Sequence, residues 1–345
     1  MQIVIGWDAG GAHLKAARAE DGIIKAAVQV PCPLWQGAGE LERAFGEAEA
    51  AVGQAPLNAV TMTGELCDIF PTREDGVAEL AAIISRLLSP RRALFYATRS
   101  GFVGKSEAPS RAMQIASANW HASAALTAMR IPAALFVDIG STTADIILAA
   151  GGQPANAGFT DAERLAHGEL VYTGMVRSCL SAGPKLVPFA GSWTLLMNEC
   201  FATMADVHRI LGQLPEEADM MEAADGREKT AAASRARLAR MIGRDSAEAD
   251  EAAWERLARV FAEAQLRDLT DAAALVLSRG LIPASAPIVG AGAGRGIAHE
   301  LATRMHRPYL GFDAVIDARP EALSRACDCA AASAVALLAS AQLRA

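Results

Sequence analysis

The chain has 345 residues, 52% hydrophobic and 21% charged, with a formal net charge of -7. That is more than one small core requires and suits two lobes of a folded, globular protein rather than a disordered one. The acidic balance, with no basic stripe interleaved with aromatics, argues against nucleic acid as the main partner, and no apolar run reaches the length of a membrane span. A strand pattern begins almost at the first residue and leaves no room for a signal peptide, so a cytoplasmic location away from membranes is expected. Six scattered cysteines (Cys32, Cys67, Cys179, Cys200, Cys327 and Cys329) form no CxxC pair and are expected as reduced thiols.

In chain order, strands are predicted at 2–7, 13–19 and 23–30, then a helix at 41–52 by its apolar spacing. A strand at 59–63 closes on Gly64, a helix follows at 76–88, and a strand at 93–96. A helix at 115–129 is stopped by Ile131-Pro132. Strands at 134–138 and 144–149, a turn at 151–154 and a strand at 170–172 come next. Residues 198–279 read as almost wholly helical, interrupted at Pro215 and at Asp225-Gly226. Sheet pattern returns at 287–290, then a Gly-rich turn at 291–296, a helix at 297–305, a strand at 314–316 and a closing helix from Pro320. The implied domains are a first lobe over 1–132, a second over 133–197 and 280–345, and a helical insertion over 198–279.

Two stretches look like copies of one device. Ile3-Val4-Ile5-Gly6-Trp7-Asp8-Ala9-Gly10-Gly11-Ala12-His13-Leu14-Lys15 and Phe136-Val137-Asp138-Ile139-Gly140-Ser141-Thr142-Thr143-Ala144-Asp145 each deliver one Asp into a Gly-bearing turn between apolar strands. A carboxylate at a strand end, beside backbone N–H groups freed by glycine, can hold a hydrated divalent cation against phosphate oxygens. Asp8 and Asp138 are therefore the candidate ligands for Mg²⁺ or another divalent cation. Each could instead cap its own turn, but the duplication favours function. Gly10, Gly11, Ala12, Gly140, Ser141, Thr142 and Thr143 would cradle a diphosphate, and Lys15 would neutralise it.

Strand, Gly turn, strand at two places, followed by a strand feeding Gly290-Ala291-Gly292-Ala293-Gly294 into a helix, resembles the actin, sugar-kinase and Hsp70 superfamily. A Rossmann unit would place its Gly turn after the first strand, not near the end. The resemblance implies an α/β, two-lobed, actin-like ATPase fold (ribonuclease H-like) with a helical insertion in the second lobe. The runs Met62-Thr63-Gly64-Glu65-Leu66-Cys67-Asp68, Asn119-Trp120-His121-Ala122-Ser123 and Gly168-Glu169-Leu170-Val171-Tyr172-Thr173-Gly174 narrow it. Together with Asp138 to Asp145 they resemble the hydantoinase/oxoprolinase-like proteins of tetrahydromethanopterin-linked one-carbon transfer.

The archaeal members of that family include a methanofuran-biosynthesis synthase that joins a furan to a phenol. What the resemblance implies is a transferase: an aminomethyl-furan methyl diphosphate loses pyrophosphate and the phenol of tyramine, tyrosine or a glutamyl form takes its place. The partners would be these small molecules, with no nucleic acid or membrane, and a homodimer stays open. Glu65, Asp68 and Asn119 would face the substrate, with helix capping the alternative for the two acids. Glu199 and Asp206, on one helical face with Thr203, would line the same cleft unless that face is solvated. His121 or a carboxylate would take the phenol proton. Arg177 and Glu169 would pair across a Thr-Gly turn. Gly290, Gly292 and Gly294 would pack against a nucleotide or a substrate ring, and whether ATP is used stays open. The alternatives are an ATP-dependent small-molecule kinase, a non-catalytic nucleotide-dependent assembly factor, and an ATP-dependent lactam hydrolase.

Overall fold

The computed structural model of the protein describes residues 1–215 and 217–344. Two sheets repeat one plan. The first consists of β1 (Ile3–Ala9), β2 (His13–Glu20), β3 (Ile23–Pro31), β4 (Leu57–Met62), β5 (Arg92–Tyr96) and β6 (Phe102–Gly104), ordered β3-β2-β1-β4-β5-β6. The second consists of β7 (Ala133–Ile139), β8 (Ala144–Ala150), β10 (Leu170–Val171), β13 (Ile288–Ala291) and β14 (Tyr309–Gly311), ordered β10-β8-β7-β13-β14, with β9 (Gln153–Pro154) on β8. In each, an antiparallel hairpin leads and the later central strands run parallel to its first member. This is the two-lobed actin-like ATPase fold, ribonuclease H-like in each lobe.

Both sheets are covered on both faces, which is why β1 and β7 are nearly continuous apolar runs. Helices α1 (Gly39–Val52) and α2 (Arg73–Leu88) pack on one face of the first sheet around Trp7, Phe45 and Leu80. A short α3 (Ala112–Ile115) precedes α4 (Asn119–Arg130), so the helix predicted over 115–129 is split at 116–118. Beyond the second sheet lie α8 (Glu251–Leu277) and α9 (Arg295–Arg304).

Between the sheets sit α4 and α11 (Ala330–Gln342), and they are exchanged relative to the expected domain limits. The α4 helix packs on β7, β8 and β9 of the second sheet, whereas α11 packs on β1, β2 and β4 of the first, and the two helices touch each other. The preceding α10 (Pro320–Asp328) leans on β3. The α4 helix thus lies before the expected limit at 132 yet packs on the second sheet, and α10 and α11 lie within the expected second-lobe range 280–345 yet pack on the first. Alanines make the exchange possible: α11 comes so close to β1 that a Cβ on Gly6 would collide with the Ala332 carbonyl. Together α10 and α11 are apolar enough to resemble a membrane span, but they bend by 110° and α11 is buried; no single described helix is long and apolar enough to cross a membrane.

The insertion is less helical than its composition suggests. A hairpin, β11 (Leu186–Phe189) and β12 (Ser192–Leu195), precedes α6 (Met204–Ile210) and α7 (Ala231–Arg240), which close a separate core on α8 around Trp254. The described residues between α6 and α7 form turns, in keeping with Pro215 and Gly226. No strand forms at the predicted 314–316: a short helical turn, Phe312–Ala314, ends there, and β14 lies just before it. Two cysteines expected as thiols, Cys179 and Cys200, are joined as a disulfide with Cα atoms 5.6 Å apart, a spacing suited to the bond, while the other four are free.

Candidate active site

The two Asp hairpins match residue for residue. Across β1 and β2, Asp8 is paired with Lys15; across β7 and β8, Asp138 is paired with Asp145. Each turn is closed the same way: Gly10 N–H donates to the His13 carbonyl at 3.0 Å, and Gly140 N–H to the Thr143 carbonyl at 2.9 Å. Among the described residues, the N–H groups of Gly11, Ala12, Ser141 and Thr142 have no backbone acceptor, so they are left for a ligand. Gly174 fixes the second turn from behind, since a Cβ there would stand 2.5 Å from Thr142 N.

The hairpins face one another across a cleft of about 280 Å³. Asp8, Gly10, Gly11, Ala12, Lys15, Asn119, Asp138, Gly140, Ser141, Thr142 and Thr143 all line it. So do residues that the sequence did not single out for this site: His13, Thr63, Cys67, Ser117, Asp145, Asp161, Arg164 and Tyr172, together with Arg177.

Its electrostatics are those of crowded carboxylates. Burial raises Asp138 to about 7; Lys15 opposes this while Asp145 and Asp8 add to it. Asp8 is likewise raised by burial, with Lys15 opposing, and its Oδ1 is buried without a partner among the described residues. Burial alone would lower Lys15, but Asp8, followed by Cys329, Asp138 and Asp328, outweighs it and holds the ammonium above its ordinary value. Asp145 is neutralised by Arg164, whose Nη2 donates to its Oδ1 at 2.5 Å. Arg164 comes from α5 (Asp161–Ala166), a short helix begun by a Thr160/Glu163 capping box. On the same helix Asp161, which lines the cleft, accepts from Arg73 of α2 at 2.8 Å and ties the two lobes. Burial, then Lys15 and Arg177, lowers His13 to about 4, so this imidazole is neutral at pH 7.

The remaining predicted residues lie elsewhere. His121 is buried with its Nδ1 on the Tyr96 hydroxyl at 2.8 Å, and burial, with Arg99 and Arg164 adding, lowers it to about 4. It is a packed ring of an aromatic cluster with Trp120 and Phe159, not a base in the cleft. Asp206 belongs to the α6 capping box and accepts from Ser234 Oγ at 2.6 Å and Arg237 Nε at 2.8 Å, which consumes its carboxylate. Glu199 and Asp68 are exposed and do not line the cleft. Glu65 is buried behind the cleft wall. Glu169 pairs with Arg279 at 3.0 Å rather than with Arg177, which instead lies over the Trp35 ring at 5.4 Å.

Gly290, Gly292 and Gly294 are buried against the protein itself. Gly290 meets the Tyr309 ring, Gly294 the Ile139 side chain, and a Cβ on Gly292 would collide with Asp138 Oδ1. They serve to bring this turn against the Asp138 hairpin. The next residues, Ala293, Gly296 and Ile297, line a second cavity of about 470 Å³ with His208 and Gln265.

The sequence profile of the hydantoinase/oxoprolinase family matches residues 57–336. The chain belongs to this family. It is 30% identical over 244 residues to the (4-{4-[2-(gamma-L-glutamylamino)ethyl]phenoxymethyl}furan-2-yl)methanamine synthase of Methanocaldococcus jannaschii, covering 70% of this chain and 72% of that one. The synthase of the same name from Methanococcus vannielii is 32% identical over 111 residues, 32% of this chain and 50% of that one. Among solved structures, nucleotide-free acetone carboxylase is similar in fold, with a TM-score of 0.55 at 14% identity over 88% of this chain and 67% of that one. Both named sequence relatives are synthases, and this hydantoinase/oxoprolinase family member is an enzyme.

Proposed function

We propose that the protein condenses an aminomethyl-furan methyl diphosphate with the phenol of tyramine, tyrosine or a glutamyl form, giving an aryl ether and pyrophosphate in assembly of a methanofuran-type cofactor. The observation that carries this reading is the pair of matching Asp hairpins with Lys15 between them. The relatives' name supports it, because the product it names has a phenol oxygen bonded to a furan methylene, which is the bond such a condensation makes.

In that reaction the methylene carbon gains the phenol oxygen and loses the diphosphate, which departs with the electron pair of the broken C–O bond. The furan ring stabilises positive charge on the methylene, so the main demand on the protein is to absorb negative charge on the leaving group. Lys15, Arg177 and the free N–H groups of both Gly turns line the cleft and would do so. Asp8 and Asp138 suit a divalent cation: the unpartnered Asp8 Oδ1 and the raised Asp138 are carboxylates short of positive charge. Two carboxylates beside a phosphate site suit Mg²⁺, a cation that takes one or two carboxylates and completes its shell with phosphate and water. Held there, such an ion would supply charge neutralisation for the diphosphate.

A second reading, an ATP-dependent small-molecule kinase, is favoured by the cavity beside Ala293 and Ile297, which is large enough for a nucleotide ring. One assay separates the two. The furan diphosphate and each phenol are incubated with Mg²⁺, with and without ATP, and the products are followed by mass spectrometry and pyrophosphate release. Ether and pyrophosphate without ATP are expected; strict ATP dependence with ADP release would overturn the condensation.

A further inference from the structure

The proposed condensation must dispose of the phenol proton, and His121, tied to Tyr96 away from the cleft, is not placed to take it. Another pair is. Glu65 sits in the short helical turn that follows β4, at 1% exposure. Its Oε1 accepts from Ser117 Oγ at 2.7 Å, and its Oε2 has no partner among the described residues. Gly76 of α2 closes over it, since a Cβ there would stand 2.7 Å from the Glu65 carbonyl oxygen. A buried carboxylate with an empty acceptor position is costly, and it is retained here directly behind the cleft wall.

Ser117 forms that wall. It lines the cleft beside Asn119 and Cys67, and holds a left-handed backbone with φ of 48°, uncommon for a residue other than glycine. Its hydroxyl thus joins a residue of the cleft lining to the buried Glu65. The serine proton is committed to Glu65, and no other described group donates to Oγ, so its lone pairs are open to a hydroxyl arriving from the cleft.

We propose that Ser117 and Glu65 form a proton relay that accepts the proton of the phenol substrate. The phenol proton passes to Ser117 Oγ as the serine proton passes to Glu65 Oε1; the phenol oxygen bonds the methylene carbon, and the diphosphate leaves with the bonding pair. Ser117 is the catalytic residue and Glu65 acts through it. The relay rests on the condensation reading for the identity of the hydroxyl. Burial holds Glu65 at about 7, lowered in part by the Ser117 hydrogen bond and raised in part by Asp161. The other groups facing it are Arg73 of α2 and the Cys67 thiol.

The test compares wild type, Ser117→Gly and Glu65→Gln in the ether assay across pH 5.5 to 8.5, bounds set roughly one and a half pH units either side of neutrality to span the range where a carboxylate so perturbed titrates. Glycine accepts the left-handed backbone, so Ser117→Gly keeps the fold while losing the hydroxyl. Both variants are expected to lose about 10²–10⁴-fold in kcat with KM within a few-fold, and Glu65→Gln to lose the acid limb of the kcat profile. A folded Ser117→Gly with wild-type kcat would overturn the relay and leave the condensation standing. Should the wild type make no ether, the condensation falls instead, and the relay is judged by carboxyl ¹³C NMR of Glu65 titrated with and without tyramine. Tyramine should displace the Glu65 midpoint in wild type and not in Ser117→Gly; an unmoved midpoint in wild type overturns the relay.

Discussion

Asp145 occupies in the second hairpin the place that Lys15 occupies in the first, directly across the strand pair from the cleft aspartate. The registers match and the charges are opposite. Asp145 is answered within its own lobe by Arg164, which leaves Asp138 dependent on Lys15 from the other lobe. One ammonium thus serves two buried carboxylates, and a bound cation would supply the charge they still lack.

Replacing Asp138 with Asn should abolish most turnover and stabilise the protein at alkaline pH. Its folded value, about 7 against an ordinary 3.8, is raised, chiefly by burial. A raised carboxylate contributes stability that is present below the unfolded value and is lost as pH rises through the folded one. That interval corresponds to at most roughly 4 kcal/mol, reduced by the coupling to Lys15. Melting curves at pH 5 and pH 8 should therefore differ less in Asp138→Asn than in wild type, with turnover down at least about 100-fold. Full activity in this variant, or in Asp8→Asn, would remove these residues from the proposed cation site.

Lys15→Met should show the converse pH dependence. The folded Lys15 is held above its ordinary value by Asp8 and Asp138, so its contribution is fully present across the neutral range. Without it, Asp8 and Asp138 repel each other when ionised and are relieved only by taking up protons. Urea unfolding should place the variant below wild type at both pH values, and further below it at pH 8 (~2–3 kcal/mol) than at pH 5. Equal losses at both pH values would mean that Lys15 contributes packing rather than charge.

The hairpins and their glycines were legible because strand runs bounded by Gly turns leave a local signal. What the sequence hid is non-local. His121 resembled a base at a helix start, but its partner Tyr96 is 25 residues away. Asp206 resembled a cleft acid, although the spacing Thr203 to Asp206 is also that of a helix cap, and its Arg237 partner lies 31 residues on. Thr160 and Glu163 carry the capping signature that would have revealed α5 and with it Arg164. The exchange of α4 and α11 left only a compositional trace, the alanines of α11, because packing against Gly6 demands small side chains without saying which sheet supplies the glycine.

Gly292→Ala tests the link between the third Gly turn and the site. Gly292 has φ of 77°, and an added Cβ would collide with Asp138 Oδ1 and the Ile139 carbonyl. Both strain and displacement should follow, costing about 2 kcal/mol or more and lowering turnover by moving Asp138. Gly296→Ala, a few residues on and with open space around its Cβ position, is the control and should leave melting unchanged. A Gly292→Ala protein with wild-type stability would show that the turn can move away from Asp138 freely.

Arg177→Gln addresses the cleft rim. Arg177 is exposed, lines the cleft and makes no ion pair among the described residues, resting only over Trp35. An exposed cation without a carboxylate partner adds little to folding, so the melting temperature should stay within about 1 °C of wild type. A guanidinium bonded to phosphate oxygens is worth roughly 1.5–3 kcal/mol, so KM for the furan diphosphate should rise about 10–100-fold. Because the same charge stabilises the departing diphosphate, kcat should fall as well, by a smaller factor. The phenol KM should not move, because a phenol brings no phosphate oxygen for the guanidinium to bind. A variant in which both KM values rise together would place Arg177 at the junction of the two substrates rather than on the leaving group.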